Sequence, residues 1–349
     1  MSEAPATQMI ADFQQTVRRI ETELAKAVIG HEDLLRNILI AFFAGGHVLI
    51  EGVPGTGKTL IVRSLADVFN LSFNRIQFTV DLMPADITGT RMVMDRDEGR
   101  REFVFVEGPI FSHVLLADEI NRSTPKTQAA LLEAMAEQQV TVAGTTYRLA
   151  PPFFVLATLN PIEMEGTYPL PEAQLDRFFF KVRLTYPTHN EIQRIINTTT
   201  TTAVPDLHPV FVHAEAPEKV MALRTLVREV MVAPQIEEYI AALIHATIPA
   251  GAKYLNAADT ARTMLPKDDF VNRYVSFGSS PRGGQTLLLG AKVSALLDGR
   301  ANVSYEDVDR VAVPALQHRL VLNFAAEAEN IDPAIIVERI IQSARKLRR

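Results

Sequence analysis

Residues 52–59 read Gly-Val-Pro-Gly-Thr-Gly-Lys-Thr, which matches the phosphate-binding pattern G-x-x-x-x-G-K-[ST]. Residues 47–51 before the pattern predict a short buried strand, and residues 58–69 after it predict a helix. Glycines in such a turn let consecutive backbone N–H groups surround phosphate oxygens, and the helix N-terminus adds partial positive charge. The Lys58 ammonium would reach the β and γ phosphates, and the Thr59 hydroxyl would bind Mg²⁺. The stretch therefore predicts a nucleotide site on an α/β fold.

Polar side chains end two further predicted strands. Residues 114–117 are apolar and are followed by Asp118 and Glu119, and Asn160 follows the strand predicted at residues 153–158. Open parallel sheets bind ligands at the carboxyl ends of their strands. We expect Asp118 to hold Mg²⁺ through water, Glu119 to orient the attacking water, and Asn160 to contact the γ-phosphate. Taken alone, an Asn-Pro pair such as the one that Asn160 begins is equally an ordinary turn.

Two arginines outside these strands are candidates for contact with phosphate. Arg177 precedes the last strand predicted for the sheet and would lie far from the phosphate-binding loop of its own chain. It could reach the nucleotide of a neighbouring subunit, since guanidinium groups stabilise charge on a transferring phosphoryl group. A surface ion pair with Asp176 is the alternative. Arg282 opens a helix of the C-terminal half and could swing over the phosphates, or could be an exposed arginine in a capping loop.

The order of predicted elements divides the chain into two domains and a linker. Residues 1–190 alternate strands and helices, which predicts a parallel sheet flanked by helices. Residues 91–106 and 140–149 interrupt the alternation with patterns typical of β-hairpins. Residues 191–215 contain a run of threonines followed by prolines and predict a linker. Residues 216–349 carry helical patterns, so we expect a helical second domain.

Composition excludes several classes of protein. The 349 residues, 47% of them hydrophobic and 22% charged, are typical of a globular chain of about two domains. The absence of cysteine excludes disulfides, thiolate nucleophiles and cysteine-based metal sites. A formal net charge of −6 disfavours duplex DNA and anionic membranes as partners. We find neither a membrane span nor a secretion signal in the sequence and expect a cytoplasmic protein.

Taken together, the motifs resemble those of the MoxR family of AAA+ ATPases. The resemblance extends over about residues 25–325, and few ATPases have this set of motifs in this order. It implies an α/β fold: a P-loop AAA+ core, in which a parallel sheet flanked by helices carries two β-hairpin insertions, followed by an all-α lid domain. The most specific stretches are residues 50–59, 78–89, 107–111, 116–122 and 170–178.

The resemblance also implies a binding site for the cofactors ATP and Mg²⁺. Residues 52–59 resemble Walker A, and Asp118 with the following glutamate resembles Walker B. Thr59 and Asp118 are the implied Mg²⁺ ligands, and Ile29 and Gly30 lie where such ATPases contact adenine. The implied nucleotide-contacting residues are Ile29, Gly30, Gly52, Val53, Pro54, Gly55, Thr56, Gly57, Lys58, Thr59 and Leu60.

Four residues take catalytic roles by the same resemblance. Glu119 is the implied catalytic carboxylate of Walker B, and Asn160 matches sensor 1. Arg177 matches the arginine finger, and Arg282 matches sensor 2, which reports the state of the nucleotide to the lid. These assignments imply an ATP hydrolase whose site is completed by a neighbouring subunit.

Members of the family form homo-oligomeric rings, most often hexamers, and act as chaperone-like motors that mature or activate other protein complexes. The resemblance therefore implies two kinds of partner, a von Willebrand factor A domain protein and a client protein complex, and does not imply nucleic acid. A nucleic-acid-translocating AAA+ motor, a self-contained P-loop kinase and a slow nucleotide switch are the alternatives. Residues 250–277 are longer and more polar than the family's usual connection and are either a partner-binding segment or an incidental loop.

Overall fold

A computed structural model describes residues 3–53, 55–96, 100–160, 166–200, 205–252, 265 and 268–347 of the chain. The strands are β1 (Val48–Gly52), β2 (Phe73–Gln77), β3 (Gly89–Arg96), β4 (Arg100–Glu107), β5 (Val114–Asp118), β6 (Gln139–Val142), β7 (Thr145–Arg148), β8 (Phe154–Leu159), β9 (Phe180–Leu184), β10 (Val275–Phe277) and β11 (Val321–Leu322). The helices are α1 (Glu3–Ala27), α2 (Glu32–Ala44), α3 (Lys58–Phe69), α4 (Pro84–Thr88), α5 (Pro125–Glu137), α6 (Glu172–Leu175), α7 (His189–Thr199), α8 (Ala216–Glu229), α9 (Pro234–Ala246), α10 (Asp269–Tyr274), α11 (Pro281–Leu297), α12 (Tyr305–Leu316), α13 (Phe324–Ala328) and α14 (Pro333–Leu347). Short 3₁₀ turns cover Ile120–Arg122 and Gln317–Arg319.

Five parallel strands form the central sheet, in the order β2-β5-β8-β1-β9. Strand β5 is buried along its whole length, because helices cover both faces of the sheet. The parallel pairing brings the carboxyl ends of the strands, Gly52, Asp118 and Leu159 among them, to one edge. The predicted parallel α/β core is confirmed, and the polar residues that follow these strands meet at that edge.

Two antiparallel hairpins project from this core, as the sequence predicts. Strands β3 and β4 pair from Gly89 with Glu107 to Arg96 with Arg100, and β6 pairs with β7. The turn at residues 97–99 lies outside the described residues. At the base of the first hairpin Gly89 has a φ of +88°, and a Cβ there would lie 2.3 Å from the Val106 carbonyl oxygen. Only glycine fits this close approach.

The C-terminal half is a helical lid that begins with α8 at Ala216. It also contains one short antiparallel pair, β10 with β11, which the all-α expectation does not include. Strands of two or three residues are too short to produce a periodic pattern in the sequence. Helix α1 packs against both α3 of the core and α11 of the lid. Among the described residues, no helix has both the length and the apolar surface needed to cross a bilayer.

The first part of the predicted linker is helical, which the sequence pattern does not indicate. Helix α7 begins just before it, where Thr188 and Glu191 form a capping box, and extends into it as far as Thr199. Residues 201–204, which include the last two threonines of the run, lie outside the described residues. Much of the polar segment at residues 250–277 also lies outside them, and its described part includes α10 and β10.

Candidate nucleotide site

The phosphate-binding loop joins the end of β1 to the start of α3. Gly55 and Gly57 have φ angles of +81° and +84°, values that glycine adopts without strain. Helix α3 begins at Lys58, whose Nζ donates a hydrogen bond of 2.7 Å to the Gly52 carbonyl oxygen. The free N–H groups of the first turn of α3 therefore face the loop, which is the arrangement that binds phosphate.

A threonine side chain of the loop also bonds to the loop backbone. Thr56 Oγ1 donates to the Val53 carbonyl oxygen at 2.8 Å. Pro54, a predicted contact residue, lies outside the described residues. Burial lowers the pKa of the Lys58 ammonium from its ordinary value of 10.5, while nearby carboxylates oppose that shift. Lys58 is 8% exposed, so its charge acts in a medium that screens it less than water does.

Asp118 and Glu119 leave the end of β5 in different directions. Asp118 Oδ1 accepts a hydrogen bond of 2.6 Å from Thr158 Oγ1, and Thr158 Oγ1 in turn accepts one of 2.8 Å from the Glu119 backbone N–H. Glu119 has a φ of +57°, a strained value for a residue with a side chain. This turn aims the Glu119 carboxylate toward the end of β8, where Asn160 lies.

The Glu119 carboxylate is held by three donors. Asn160 Nδ2 approaches Oε1 at 3.3 Å, while Gln77 Nε2 and Arg122 Nη1 each approach Oε2 at 3.0 Å. Asn160 is 2% exposed, so its amide is fixed by the core rather than by solvent. The three contacts restrain the orientation of Glu119, as a group that positions water requires.

A cavity of about 300 Å³ opens between this carboxylate pair and the loop, and Thr59 lines it. The other lining residues are Gly55, Gly57, Lys58, Leu60, Arg75, Gln77, Asp118 and Glu119. Mg²⁺ is held in phosphate sites by one or two protein oxygens with substrate phosphates supplying others. The hydroxyl of Thr59 and the carboxylate of Asp118 fit that donor set. Groups of three or more His, Cys, Asp or Glu side chains that could hold a metal ion are absent from the described residues.

A second, more apolar cavity of about 470 Å³ adjoins the loop on the side of α7. Its size lies in the range of small-ligand pockets. Ile29, predicted to contact adenine, lines it together with Leu60. Gly30 does not line it: its φ is +73°, and a Cβ there would lie 2.2 Å from Glu191 Oε1. The remaining lining residues are Ala27, Val28, His31, Gly55, Thr56, Gly57, Ile61, Pro187, Ile195, Thr198 and Pro205.

Arg177 and Arg282 lie together at the opposite edge of the sheet. They line a cavity of about 350 Å³ with residues that precede β1 and β9, including His47 and Phe179. Strand β1 alone has five residues, or about 16 Å, between this edge and the loop. Both arginines are exposed, and Arg282 Nη1 lies 3.7 Å from Asp176 Oδ2. The expectation that Arg282 closes over the phosphates of its own chain is therefore not met in this arrangement of the lid.

The sequence patterns did not identify two residues of the site, Arg75 and Gln77 of β2. Arg75 Nη2 donates to Asp118 Oδ2 and to Gln77 Oε1, both at 2.7 Å. The two residues share one face of β2 because side chains alternate along a strand. The pairing of β2 with β5 brings that face beside Asp118, and nothing in the local sequence of β2 indicates which strand lies next to it.

Comparison with known proteins matches both domains. Residues 47–180 match the ATPase family associated with various cellular activities (AAA), and residues 268–340 match an AAA lid domain. The first match includes the loop, the ends of β5 and β8, and Arg177.

Similar proteins extend over almost the whole chain. Chaperone MoxR1 of Mycobacterium tuberculosis is 38% identical over 328 residues, which are 94% of this chain and 81% of that protein. Protein MoxR of Methylorubrum extorquens is 31% identical over 91% of each chain. The crystal structure of a candidate ATPase from Cytophaga hutchinsonii is 37% identical, covers 98% of both chains and superposes with a TM-score of 0.85.

Proposed function

The chain belongs to the MoxR family of AAA+ ATPases, and on that premise we propose that it hydrolyses Mg-ATP in sites shared between the subunits of a ring. The observation that carries the proposal is the division of the charged groups between two edges of one sheet. The loop, Asp118 and Glu119 lie at the carboxyl edge, whereas Arg177 and Arg282 lie at the amino edge. A site with both sets therefore needs two copies of the chain.

Within one subunit, the residues of the carboxyl edge bind ATP and activate water. Lys58 turns from the Gly52 carbonyl oxygen to the β and γ phosphates, and Thr59 and Asp118 would hold Mg²⁺, which would neutralise charge on the phosphates. Glu119 orients the attacking water and takes up its proton. Asn160 keeps Glu119 in place through its contact with Oε1 and donates to the γ-phosphate.

Across the interface, the neighbouring subunit supplies Arg177 and Arg282. Their guanidinium groups stabilise the charge that develops on the transferring phosphoryl group. The contact that brings the two edges together joins different surfaces of the two copies, so it is head-to-tail. Head-to-tail contacts close into rings when the rotation between subunits allows it, and we propose a ring of six.

The work done by this ring is chaperone-like remodelling, maturation or activation of a protein complex. Support comes from the relative named Chaperone MoxR1, which is similar to this chain along most of its length. We propose a von Willebrand factor A domain protein and a client complex as the partners. We assign such contacts to the lid and the hairpin β3–β4, which are additions to the central sheet.

A mixing experiment tests the shared site. Glu119→Gln retains the arginines and lacks the carboxylate, whereas Arg177→Ala retains the carboxylate and lacks one arginine. ATP turnover is measured for each variant alone and for the mixture, with subunit exchange followed by fluorescent labels on the two variants. We expect the mixture to regain activity that neither parent has, since sites that join an Arg177→Ala loop to a Glu119→Gln neighbour are complete.

The matched control is Arg194→Ala, an exposed arginine of α7 that does not line the cavity beside the loop. Arg194→Ala alone should hydrolyse ATP at the rate of the parent protein. Mixing it with Glu119→Gln should not raise that rate. Exchange without recovery of activity in the Arg177→Ala mixture would mean that the site is contained in one subunit, and a self-contained ATPase or kinase would replace the ring.

A further inference from the structure

A 3₁₀ turn of the lid, Gln317–Arg319, lies against the segment that carries Arg177. Each of its three side chains donates to backbone carbonyl oxygens of that segment. Gln317 Nε2 donates to Lys181 at 2.6 Å, and His318 Nε2 to Phe178 at 3.1 Å. These contacts connect the end of α12 in the lid to the start of β9 in the central sheet, two segments that are distant in the sequence.

Arg319 makes the most contacts of the three. Its Nη1 donates to the Phe179 carbonyl oxygen at 3.2 Å, and its Nη2 donates to those of Phe178 at 2.8 Å and Asp176 at 3.3 Å. Its Nε donates to Asp176 Oδ1 at 2.8 Å. The side chain of Arg319 is 3% exposed, so its charge depends on the Asp176 carboxylate for compensation. A planar guanidinium can bridge several acceptors in fixed directions, which an ammonium cannot.

Asp176 links this clamp to the second arginine. Its Oδ2 accepts a hydrogen bond of 3.4 Å from Ser280 Oγ and lies 3.7 Å from Arg282 Nη1. Ser280 caps the N-terminus of α11, the helix whose first turn contains Arg282. The carboxylate of Asp176, the residue immediately before Arg177, thus contacts two parts of the lid: the start of α11 and the 3₁₀ turn that follows α12.

The Arg177 side chain makes a separate contact with the core. Its Nη1 donates to the Leu132 carbonyl oxygen of α5 at 2.7 Å, and the residue is exposed. Its backbone is held by Arg319 at the carbonyl groups before and after it, while its guanidinium stays at the surface.

We propose that Arg319, acting through Asp176, is a positioning residue that fixes Arg177 and Arg282 as one rigid pair for the neighbouring subunit's nucleotide. This inference rests on the proposed shared site and adds how that site is regulated. The clamp couples the position of Arg177 to the lid of its own subunit, although β9 and the contact with Leu132 also tie Arg177 to the core. A rotation of the lid in one subunit therefore withdraws Arg282 from the next subunit, breaks the clamp on Arg177 and slows hydrolysis there.

The test uses Arg319→Gln in the full-length protein. Alone, this variant should lose roughly ten- to hundredfold in kcat, the effect of a misplaced transition-state contact, with the KM for ATP changed much less. Its own loop and Glu119 are intact, so mixing with Glu119→Gln should restore turnover as mixing with Arg177→Ala does. A structural defect in the variant's own nucleotide site would not be repaired by the neighbour.

Arg319→Lys provides a second, milder variant, because it keeps a buried cation beside Asp176 and cannot bridge the three carbonyl groups. We expect the same pattern with a smaller loss of kcat, and a kcat equal to that of the parent protein would overturn the proposal. Arg224→Gln is the matched control. Arg224 is also a buried lid arginine that donates to a core carbonyl oxygen, that of Phe42 at 3.0 Å, rather than to the segment that carries Arg177. It should keep its kcat in assemblies that remain folded.

The outcomes separate the two proposals. If Arg177→Ala and Glu119→Gln do not complement each other, the shared site itself fails. If they complement each other while Arg319→Gln with Glu119→Gln does not, the shared site stands and the positioning role of Arg319 is wrong. An equal loss of kcat in Arg224→Gln would also overturn that role, because it would trace the effect to general loss of packing.

Discussion

Thr158 Oγ1 lies 2.6 Å from Asp118 Oδ1 and donates a hydrogen bond to it. The same oxygen accepts the backbone N–H of Glu119, so one hydroxyl of β8 orients both carboxylates at the end of β5. Thr158 is fully buried, and no water can replace its hydroxyl without rearrangement of the strands. The geometry of the candidate site therefore depends on a residue that itself faces no ligand.

Thr158→Val should lower the free energy of unfolding by about 1–3 kcal/mol, because it leaves a buried carboxylate oxygen and a backbone N–H without their partner. Valine has nearly the same shape as threonine, so packing changes little. Urea denaturation at neutral pH measures the change. Thr158→Ser keeps the hydroxyl and should lose much less stability. Equal stability of the valine variant and the parent protein would show that the hydroxyl does not matter for folding.

Arg75→Gln should lower the Mg²⁺ concentration needed for half-saturation of nucleotide binding. Arg75 Nη2 lies 2.7 Å from Asp118 Oδ2, so the arginine and the cation compete for one carboxylate. We expect a change of about two- to fivefold, the equivalent of a partly exposed ion pair of up to about 1 kcal/mol. Binding of a fluorescent ADP at a series of Mg²⁺ concentrations measures it. Arg75→Lys retains a cation and should stay close to the parent protein; an unchanged or raised Mg²⁺ requirement in Arg75→Gln would contradict the competition.

Glu119→Gln should lower kcat by about 10²- to 10⁴-fold, the usual contribution of a general base, while ATP binding is retained. Glutamine is isosteric with glutamate, and its carbonyl oxygen still accepts from Asn160, while its amide group loses the contacts that Oε2 accepts from Gln77 and Arg122. Steady-state hydrolysis and equilibrium binding of ATP are measured on the same preparation. Glu133→Gln, on the exposed face of α5, is the matched control. Near-normal turnover by folded Glu119→Gln would refute the role of Glu119 in activating water.

His47 should make folding stability depend on pH below neutrality. Burial lowers the pKa of His47 from 6.5 to about 4, and Nδ1 accepts from the Val155 N–H while Nε2 donates to the Met135 carbonyl oxygen. The unfolded chain binds a proton near pH 6.5, whereas the folded chain stays neutral until about pH 4. The stability that neutral His47 contributes is thus fully present above about pH 6.5 and is lost as the pH falls, by about 2 kcal/mol between about pH 6.5 and 5.

His47→Gln should reduce this slope, since glutamine does not titrate. Urea denaturation at pH 5, 6 and 7 compares the variant with the parent protein. Burial also lowers the pKa of His318, which contributes in the same direction and remains in the variant. His189→Gln, at an exposed position of α7, controls for the loss of a histidine that is not buried. Identical slopes in His47→Gln and the parent protein would show that His47 is not the group responsible.

Most of the core was predictable from local patterns. The helix at residues 58–69 and the strand ends at Asp118 and Asn160 follow from residues that are neighbours in the sequence, and the structure has them there. The lid was predicted as helical for the same reason, whereas its short strands β10 and β11 were not, because pairing between distant segments creates them. The cavity wall formed by α7 was missed because a run of threonines resembles a linker more than a helix.

The sequence by itself determined the phosphate-binding loop, the carboxylates Asp118 and Glu119 and the parallel α/β core, because glycine spacing, apolar runs and the residues that end strands are local properties. Only the tertiary structure decided that Arg75 lies beside Asp118 and that Arg282 lies beside Arg177 rather than over the loop of its own chain. The order of the strands and the docking of the lid set those positions. The docking depends on contacts such as that between Arg319 and Asp176, 143 positions apart, whose energy comes from burial and charge pairing that no local pattern records.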